Sequence, residues 1–331
     1  MATRIMGMEI GSSTIKLIEV SRHGARLTVH KCSVIETPKE CIYNGVISNI
    51  EPIQEAIGKE LKTQKYRAKK VVAVVQSSNI IIRNAFMEKQ PEKVIKQILE
   101  IKTEEFLPIE KSQYQIDFKV LGEVKEEEGI KNKLELVAAP NNVVGPVAAL
   151  IKNLNLIPVC ITIPSEALVN IFSSESRMIY ENTGNVMVLD IGGHSTTATI
   201  VEENGEALTR MIEYGLTQIQ EGAKSTFHVE EENSEAYFSN VIRPEIEYHI
   251  LSEVERILQF YYSNHQSRQV KKIYLTGGGS AIKGLRSYMR DALNIPTEKI
   301  SQLDTVMIAP GVEFEHYTRF FVNTLGAING L

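Results

Sequence analysis

Three segments of the chain share one pattern, in which an apolar strand is followed at once by a tight loop of glycine and hydroxyl residues. They are 5–13 (IMGMEIGSS), 186–196 (VMVLDIGGHST) and 273–280 (IYLTGGGS). The first two loops lead into a second strand, so each predicts a β-hairpin. The third leads toward a helix that we expect to start near Ala281. Glycine lets a backbone approach phosphates or a flat ligand closely, and the order of the loops predicts two similar halves that close on one nucleotide.

Each predicted hairpin has an acidic residue at the end of its first strand, Glu9 in the first and Asp190 in the second. Carboxylates at these positions point toward the metal that accompanies a polyphosphate, so we expect ATP and Mg²⁺ as the ligands. The P-loop pattern GxxxxGK[ST] does not occur, and strand-to-strand loops differ from it in topology. His194 lies in the second loop, where we expect an ordinary loop side chain rather than a catalytic base.

The length of 331 residues exceeds what one hydrophobic core usually serves, and the repeated hairpin-then-helix order indicates an internal duplication. Between the two halves, the patterns of apolar residues predict a β-α-β-β-α subdomain at about 84–155. Pro244 is expected in the first turn of a long helix with one buried face. We predict a first lobe at 1–83 that resumes at 156–185, and a second lobe at 186–331 whose own insertion covers about 212–269 and whose end returns to the first lobe.

Composition excludes several classes of protein. A net charge of −5 argues against nucleic-acid binding, which needs a basic surface. Three cysteines without a CxxC pair suit a reducing compartment. No signal peptide is evident, and no apolar stretch reaches the roughly 20 residues that span a bilayer. We therefore expect a cytoplasmic protein without a membrane span.

Several short motifs resemble the PilM family, the actin-like, FtsA-related cytoplasmic proteins of type IV pilus assembly. They are 6–16 (MGMEIGSSTIK), 136–140 (LVAAP) with a following helix and 157–159 (IPV), and 210–215 (RMIEYG). The resemblance covers essentially the whole chain. It implies an α/β protein with the actin-like ATPase fold, two duplicated lobes, and the inserted subdomain in the position called 1C in FtsA.

The resemblance also implies roles for individual residues. The expected first phosphate loop comprises Gly11, Ser12, Ser13 and Lys16; the second comprises Gly192, Gly193, Ser195 and Thr196; the adenosine loop comprises Gly277, Gly278, Gly279 and Ser280. Gly215 and Lys224 are expected to border the ribose and adenine. Glu9 and Asp190 remain the expected metal ligands.

Members of this family usually carry aspartate where this chain has Glu9. One additional methylene moves the carboxylate by about an ångström, and attack of water on a phosphoryl group is sensitive to such a shift. We therefore predict ATP binding with weak or absent hydrolysis. The partner that the resemblance implies is a PilN-like membrane protein, whose cytoplasmic N-terminal peptide docks between the first lobe and the 1C subdomain. That contact would recruit the chain to the cytoplasmic face of the membrane.

Two alternatives stay open at this stage. One is a small-molecule kinase or phosphatase of the actin and sugar-kinase superfamily, which needs a general base near its acceptor. The only aspartate between residues 11 and 190 is Asp117, which the pattern puts in the inserted subdomain. The other is an FtsA-like division protein, whose relatives usually end in a basic amphipathic helix; this sequence instead ends in the small, apolar residues of 324–331.

Overall fold

A computed structural model describes residues 3–126, 129–173, 178–179, 184–226, 237–264 and 268–331. Parts of the predicted segments 156–185 and 212–269 therefore lie outside the described residues. The strands are β1 Arg4–Ile10, β2 Thr14–His23, β3 Arg26–Glu36, β4 Ile42–Tyr43, β5 Val46–Ile47, β6 Lys70–Val74, β7 Ile81–Glu88, β8 Tyr114–Glu126, β9 Gly129–Pro140, β10 Ile157–Thr162, β11 Asn185–Ile191, β12 Thr196–Val201, β13 Ala207–Ile212, β14 Val270–Thr276, β15 Thr297–Lys299 and β16 Val306–Ile308. The helices are α1 Ile50–Thr63, α2 Glu92–Phe106, α3 Asn141–Asn153, α4 Pro164–Phe172, α5 Leu216–Thr226, α6 Arg243–Ile246, α7 Ser252–Asn264, α8 Leu285–Leu293 and α9 Val322–Asn329.

Two of the sheets repeat one arrangement of five strands. The first sheet has the order β10-β6-β1-β2-β3-β16, and the second has the order β13-β12-β11-β14-β15. In both, an antiparallel hairpin (β1–β2 or β11–β12) has a parallel neighbour on its first strand and an antiparallel neighbour on its second. The predicted hairpins are confirmed, and their topology is that of an internal duplication.

The two sheets share a core built around α4 and α9. Apolar side chains of β6 and β11 belong to the same buried cluster as residues of both helices. Helix α4 starts with Pro164. Proline has no backbone N–H, but an N–H in the first turn of a helix has no acceptor within the helix, so no hydrogen bond is lost. Helix α9 consists of small and apolar residues that are almost all buried. Burial of the two helices between the sheets places the ends of β1 and β11 near each other.

A third sheet, in the order β7-β9-β8, is inserted between the strands of the first sheet. Together with α2 and α3 it has the predicted element order β-α-β-β-α. Its own apolar cluster joins one face of the sheet to the buried side of α2, which includes Ile95 and Leu99. Strand β8 is an edge of this sheet, just as β10 is an edge of the first sheet.

One expectation about helices was wrong, and another was met only in part. The third glycine loop does not enter an α-helix near Ala281; a 3₁₀ turn covers Gly278–Ala281, and α8 begins at Leu285 after Gly284, whose φ is +84°. Pro244 is the second residue of α6 and so lies in its first turn, but α6 continues a helical run that already includes the π turn Phe238–Ile242. A π turn widens the helix, which accommodates the proline ring and its missing N–H inside a continuous helical run.

Candidate functional site

The tip of the first hairpin, Gly11–Ser13, is held by hydrogen bonds on both sides. The Gly11 N–H donates to the Thr14 carbonyl at 3.0 Å. Thr37 closes the other side: its hydroxyl donates to the Gly11 carbonyl at 2.6 Å, and its N–H donates to the Ser13 carbonyl at 3.1 Å. Thr37 follows β3, and sequence reasoning missed this role. The tip is thus fixed in shape before any ligand is present.

The second hairpin tip is braced by the start of α5. The Gly192 and Gly193 carbonyls accept hydrogen bonds from the N–H groups of Leu216 and Thr217, at 2.9 and 2.8 Å. Gly215 lies so close that a Cβ there would be 2.6 Å from the Gly193 carbonyl oxygen. Gly215 was predicted to border the ribose and adenine. The structure brings it against the second loop, where its lack of a side chain permits that approach. The hydroxyl of the predicted site residue Thr196 donates inward, to the Tyr214 carbonyl at 2.8 Å.

The tips of the two hairpins touch each other. The Ser12 and Ser13 hydroxyls lie 3.0 and 3.2 Å from Nδ1 of His194. A Cβ on Gly193 would overlap the Ser13 hydroxyl. The two serines that were predicted to contact phosphate therefore share hydrogen bonds with a histidine of the opposite tip. His194 is a loop side chain that connects the two hairpins.

The third loop packs directly on the end of β11. Gly277 has a φ of +76°, and a Cβ there would overlap Oδ1 of Asp190. A Cβ on Gly279 would overlap the Ile191 side chain, whereas the neighbours of Gly278 are no closer than 3.7 Å. The Ser280 hydroxyl is buried and donates to the Gly277 carbonyl at 2.7 Å. Two of the three glycines are thus required by the contact with β11, and Gly278 has the most open surroundings.

A buried cluster of polar side chains lies where β1, β11 and α9 meet. Glu9 and Lys16 face each other in the hairpin register, form an ion pair and are each 8% exposed. The Asn323 amide donates to Oδ2 of Asp190 at 3.0 Å. Oε2 of Glu9 and Oδ1 of Asn323 are buried without a hydrogen-bond partner. Burial raises the pKa of Glu9; Lys16 opposes this shift and Asp190 adds to it.

The donor set of this cluster fits a divalent cation. Magnesium prefers oxygen ligands, and the cluster offers two carboxylates and an amide oxygen, including two oxygens with no other partner. Within the described ranges, no group of three or more histidine, cysteine, aspartate or glutamate side chains could hold a metal alone. A cation here would therefore take its remaining ligands from water and from a phosphate.

Asn323 and Gln76 belong to the site but were not predicted from the sequence. Asn323 comes from α9, where it is one of two asparagines in a helix of otherwise mostly small and apolar residues. Gln76 follows β6 and donates from its amide to the Thr197 hydroxyl, so it links the two sheets. A polar residue at the end of a strand parallel to β1 is a signal that could have identified it. Lys224 lies on α5, and its side chain is outside the described part of the chain.

A groove of about 930 Å³ separates the inserted sheet from the first sheet. Its walls include the edge strands β8 and β10, together with α2 and the start of α4. Apolar side chains such as Phe118 and Ile161 alternate with charged ones, among them Asp117, Lys119 and Glu166. The groove is therefore long, mixed in polarity and bordered by two strands with unpaired edges.

Glu135 is the most buried charged residue of this groove, at 7% exposure. It lies on β9, opposite Lys119 of β8. Lys119 pairs with Glu166 of α4 at 2.9 Å, and Lys133 pairs with Glu206 of the β12–β13 connection at 2.6 Å. Burial and the nearby carboxylates of Glu166 and Glu206 raise the pKa of Glu135 to about 7, and Lys119 only partly offsets them.

This pKa predicts a pH-dependent stability. Since the folded protein holds the Glu135 proton up to about pH 7 and the unfolded chain releases it near 4.5, stability falls as the pH rises between those values. In the wild type, ionisation of Glu135 should lower the free energy of unfolding by about 2 kcal/mol between pH 5 and pH 8. Glu135→Gln should abolish this part of the decrease. Urea denaturation at both pH values measures it. Glu100→Gln, which changes an exposed acid of the same groove, is the matched control and should leave the wild-type pH dependence intact.

Comparisons with known proteins agree with this architecture. A family model described as type IV pilus assembly protein PilM matches residues 7–329. A chain of a solved PilM–PilN type IV pilus biogenesis complex is similar at a TM-score of 0.82 and 23% identity, covering 100% of this chain and 98% of that one. Both lines of comparison extend over nearly the whole sequence.

More distant structures share the fold at about 10% identity. A nucleotide-free diol dehydratase-reactivating factor has a TM-score of 0.56 at 10% identity, covering 99% of both chains. The ethanolamine utilization protein EutJ from Carboxydothermus hydrogenoformans has a TM-score of 0.53 at 11% identity, covering 98% of this chain and 88% of that one. The predicted α/β actin-like ATPase fold is confirmed. Among the described helices, none is both long and apolar enough to cross a bilayer.

Proposed function

Because this chain belongs to the PilM family of type IV pilus assembly proteins, we propose that it is an assembly scaffold that holds ATP and recognises a PilN-like membrane protein. The proposed ATP binding rests on one observation, the convergence of three loops at Asp190. The two hairpin tips touch, and the third loop packs against the Asp190 carboxylate. Glycine-rich backbone and hydroxyl side chains from three segments thereby lie in one small region, the kind of lining that phosphate-binding loops use.

The residues proposed to hold the nucleotide divide by loop. Gly11, Ser12 and Ser13 would meet phosphate from one side and Gly192, Gly193 and Ser195 from the other, with Gly278 beside the adenosine. Thr196, Gly277, Gly279 and Ser280 would shape these loops from within. Entry of a phosphate requires the serine–histidine contacts between the tips to open. Lys16 and Gly215 support the loops, Lys16 through its pair with Glu9. Glu9, Asp190 and Asn323 would hold Mg²⁺, which supplies charge neutralisation to the phosphates when bound.

We expect little hydrolysis of the bound ATP. Phosphoryl transfer to water needs a side chain that orients the water. Glu9, the acid at the end of the first hairpin strand, is engaged by Lys16. Asp117 lies on β8 in the groove of the inserted sheet, so it is not available as the base that a kinase would need. These arrangements support binding without rapid turnover.

The partner part of the proposal rests on the groove between the inserted sheet and β10. An extended peptide can add to an unpaired strand edge through backbone hydrogen bonds, while pockets recognise its side chains. The groove presents two such edges and a mixed lining. The similar solved structure is a complex of PilM with PilN. We propose that the cytoplasmic N-terminal peptide of a PilN-like protein occupies this groove and brings the chain to the cytoplasmic face of the membrane.

Asp190→Ala is the direct test of the nucleotide site. The substitution removes the carboxylate that contacts Asn323 and the third loop, and we expect the affinity for ATP with Mg²⁺ to fall at least about tenfold. Isothermal titration of ATP measures it, with phosphate release recorded separately. Asp291→Ala, at an exposed position of α8, is the control and should bind as the wild type does. Absence of ATP binding by the wild type, or turnover typical of a dedicated ATPase that Asp190→Ala abolishes, would contradict the proposal.

A further inference from the structure

The Glu135 carboxylate faces the groove without a partner of its own. It is more than nine-tenths buried, and in the described ranges no hydrogen bond or ion pair reaches it. Its nearest register partner, Lys119, is instead bound to both carboxylate oxygens of Glu166, at 2.9 and 3.1 Å. Burial of an ionised group without a partner is costly, so the ionised form of Glu135 is destabilising unless a cation binds beside it.

The charges around Glu135 leave an excess of negative charge. Glu166 faces it from α4 and Glu206 from the β12–β13 connection, while Lys119 faces it from β8. Lys133 adds a second ammonium group, which is paired with Glu206. Three acidic side chains therefore share two ammonium groups, and Glu135 has no counter-ion when it ionises. The missing charge is one cation, and the open side from which it can arrive is the groove.

We propose that Glu135 binds a lysine or arginine side chain of the extended peptide that occupies the groove. This inference rests on the proposed partner role of the groove and adds the chemistry that the partner must have. The peptide backbone adds to an edge of β8 or β10, apolar peptide side chains meet residues such as Phe118 and Ile161, and one cationic side chain reaches Glu135. A buried carboxylate prefers a charged donor, because charge-assisted hydrogen bonds are about twice as strong as neutral ones.

The position of Glu135 makes it selective for a cation at one place in the peptide. It is on the central strand β9, deeper than the exposed acids Asp117 and Glu100 that line the same groove. An exposed acid attracts any positive charge weakly through solvent. A buried one can be neutralised only by a side chain that enters the groove. Glu135 therefore discriminates between peptides that carry a cation in register and peptides that do not.

The test is a double-mutant cycle measured by fluorescence anisotropy. The probe is a labelled synthetic peptide that spans the cytoplasmic N-terminal segment of the PilN-like protein of the same cell, alongside versions in which each lysine or arginine is glutamine. We expect Glu135→Gln to weaken binding of the parent peptide about tenfold. One glutamine version should bind the wild type equally weakly and show no further loss with Glu135→Gln. Asp291→Asn removes the same formal charge from an exposed position of α8, outside the groove, and should change the affinity less than twofold.

The outcomes separate this inference from the proposed function. If the parent peptide binds wild type and Glu135→Gln equally well, or if Glu135→Gln and Asp291→Asn weaken it equally, specific cation recognition by Glu135 is wrong and the groove remains a peptide site. If no peptide binds the wild type, the proposed partner role fails, and the inference fails with it. Urea denaturation of each variant at the assay pH verifies that the protein is folded.

Discussion

Lys16→Met is expected to lower the free energy of unfolding by about 3–5 kcal/mol, the usual result of removing one partner of a buried ion pair. Lys16 and Glu9 are both 8% exposed, and Lys16 is the side chain that neutralises Glu9 in the hairpin. Burial alone would lower the pKa of Lys16, but the carboxylates of Glu9 and Asp190 raise it overall, so the ammonium form is retained. Methionine keeps the length and apolar stem of lysine and removes only the charge.

The control for Lys16→Met is the double variant Glu9→Gln with Lys16→Met. It removes both charges, and we expect it to recover more than half of the lost stability, because no uncompensated charge remains buried. The loss in the single variant should be larger at pH 8 than at pH 6. The reason is that burial raises the pKa of Glu9, so its neutral form, which needs no partner, is more populated at the lower pH. Equal stabilities of wild type and Lys16→Met at pH 8 would show that the ion pair does not support the hairpin.

Gly326→Ala is expected to cost about 3 kcal/mol or more, at the upper end of the usual cost of overpacking. A Cβ at this position of α9 would overlap the backbone carbonyl of Ala167 on α4. Backbone cannot rotate away as a side chain can, so the two helices must separate. Helix α9 also carries Asn323, and the displacement should therefore weaken ATP binding in addition to stability.

Gly58→Ala is the matched control for Gly326→Ala. Gly58 lies in α1, where a Cβ would be 3.6 Å from the Leu154 side chain, an ordinary contact. Since alanine is the better helix former, this variant should be unchanged or more stable by up to about 1 kcal/mol. Chemical denaturation of both variants measures the difference. A Gly326→Ala protein as stable as Gly58→Ala would mean that α4 and α9 are not closely packed.

The hairpins were predictable because their signals are local. An apolar strand, a turn of small residues and a second strand rich in β-branched residues predict β1 and β2, and the same design recurs in β11 and β12. The burial of Lys16 also had a local signal, since a turn at Gly11–Ser13 puts Lys16 opposite Glu9. Its pairing was nevertheless not predicted, because the lysine was assigned to phosphate.

The remainder of the site depends on contacts between distant parts of the chain. Asn323 and Asp190 are 133 residues apart, and only the packing of α9 between the sheets joins them. The glycines of the third loop suggested a ligand, yet Gly277 and Gly279 are required by the parallel pairing of β11 and β14. The helical run before Pro244 was not predicted, because no sequence pattern indicates the π turn Phe238–Ile242. A one-dimensional pattern cannot distinguish a glycine that meets a ligand from one that meets a strand.

The ion pair between Lys133 and Glu206 has a thermodynamic consequence for the two proposed sites. It ties the inserted sheet to the β12–β13 connection, so one wall of the groove is attached to the second sheet as well as to the first. Relative movement of the two sheets then changes the groove and the nucleotide cleft together. Linkage is reciprocal: any factor by which bound ATP alters the affinity for the peptide is the factor by which the bound peptide alters the affinity for ATP.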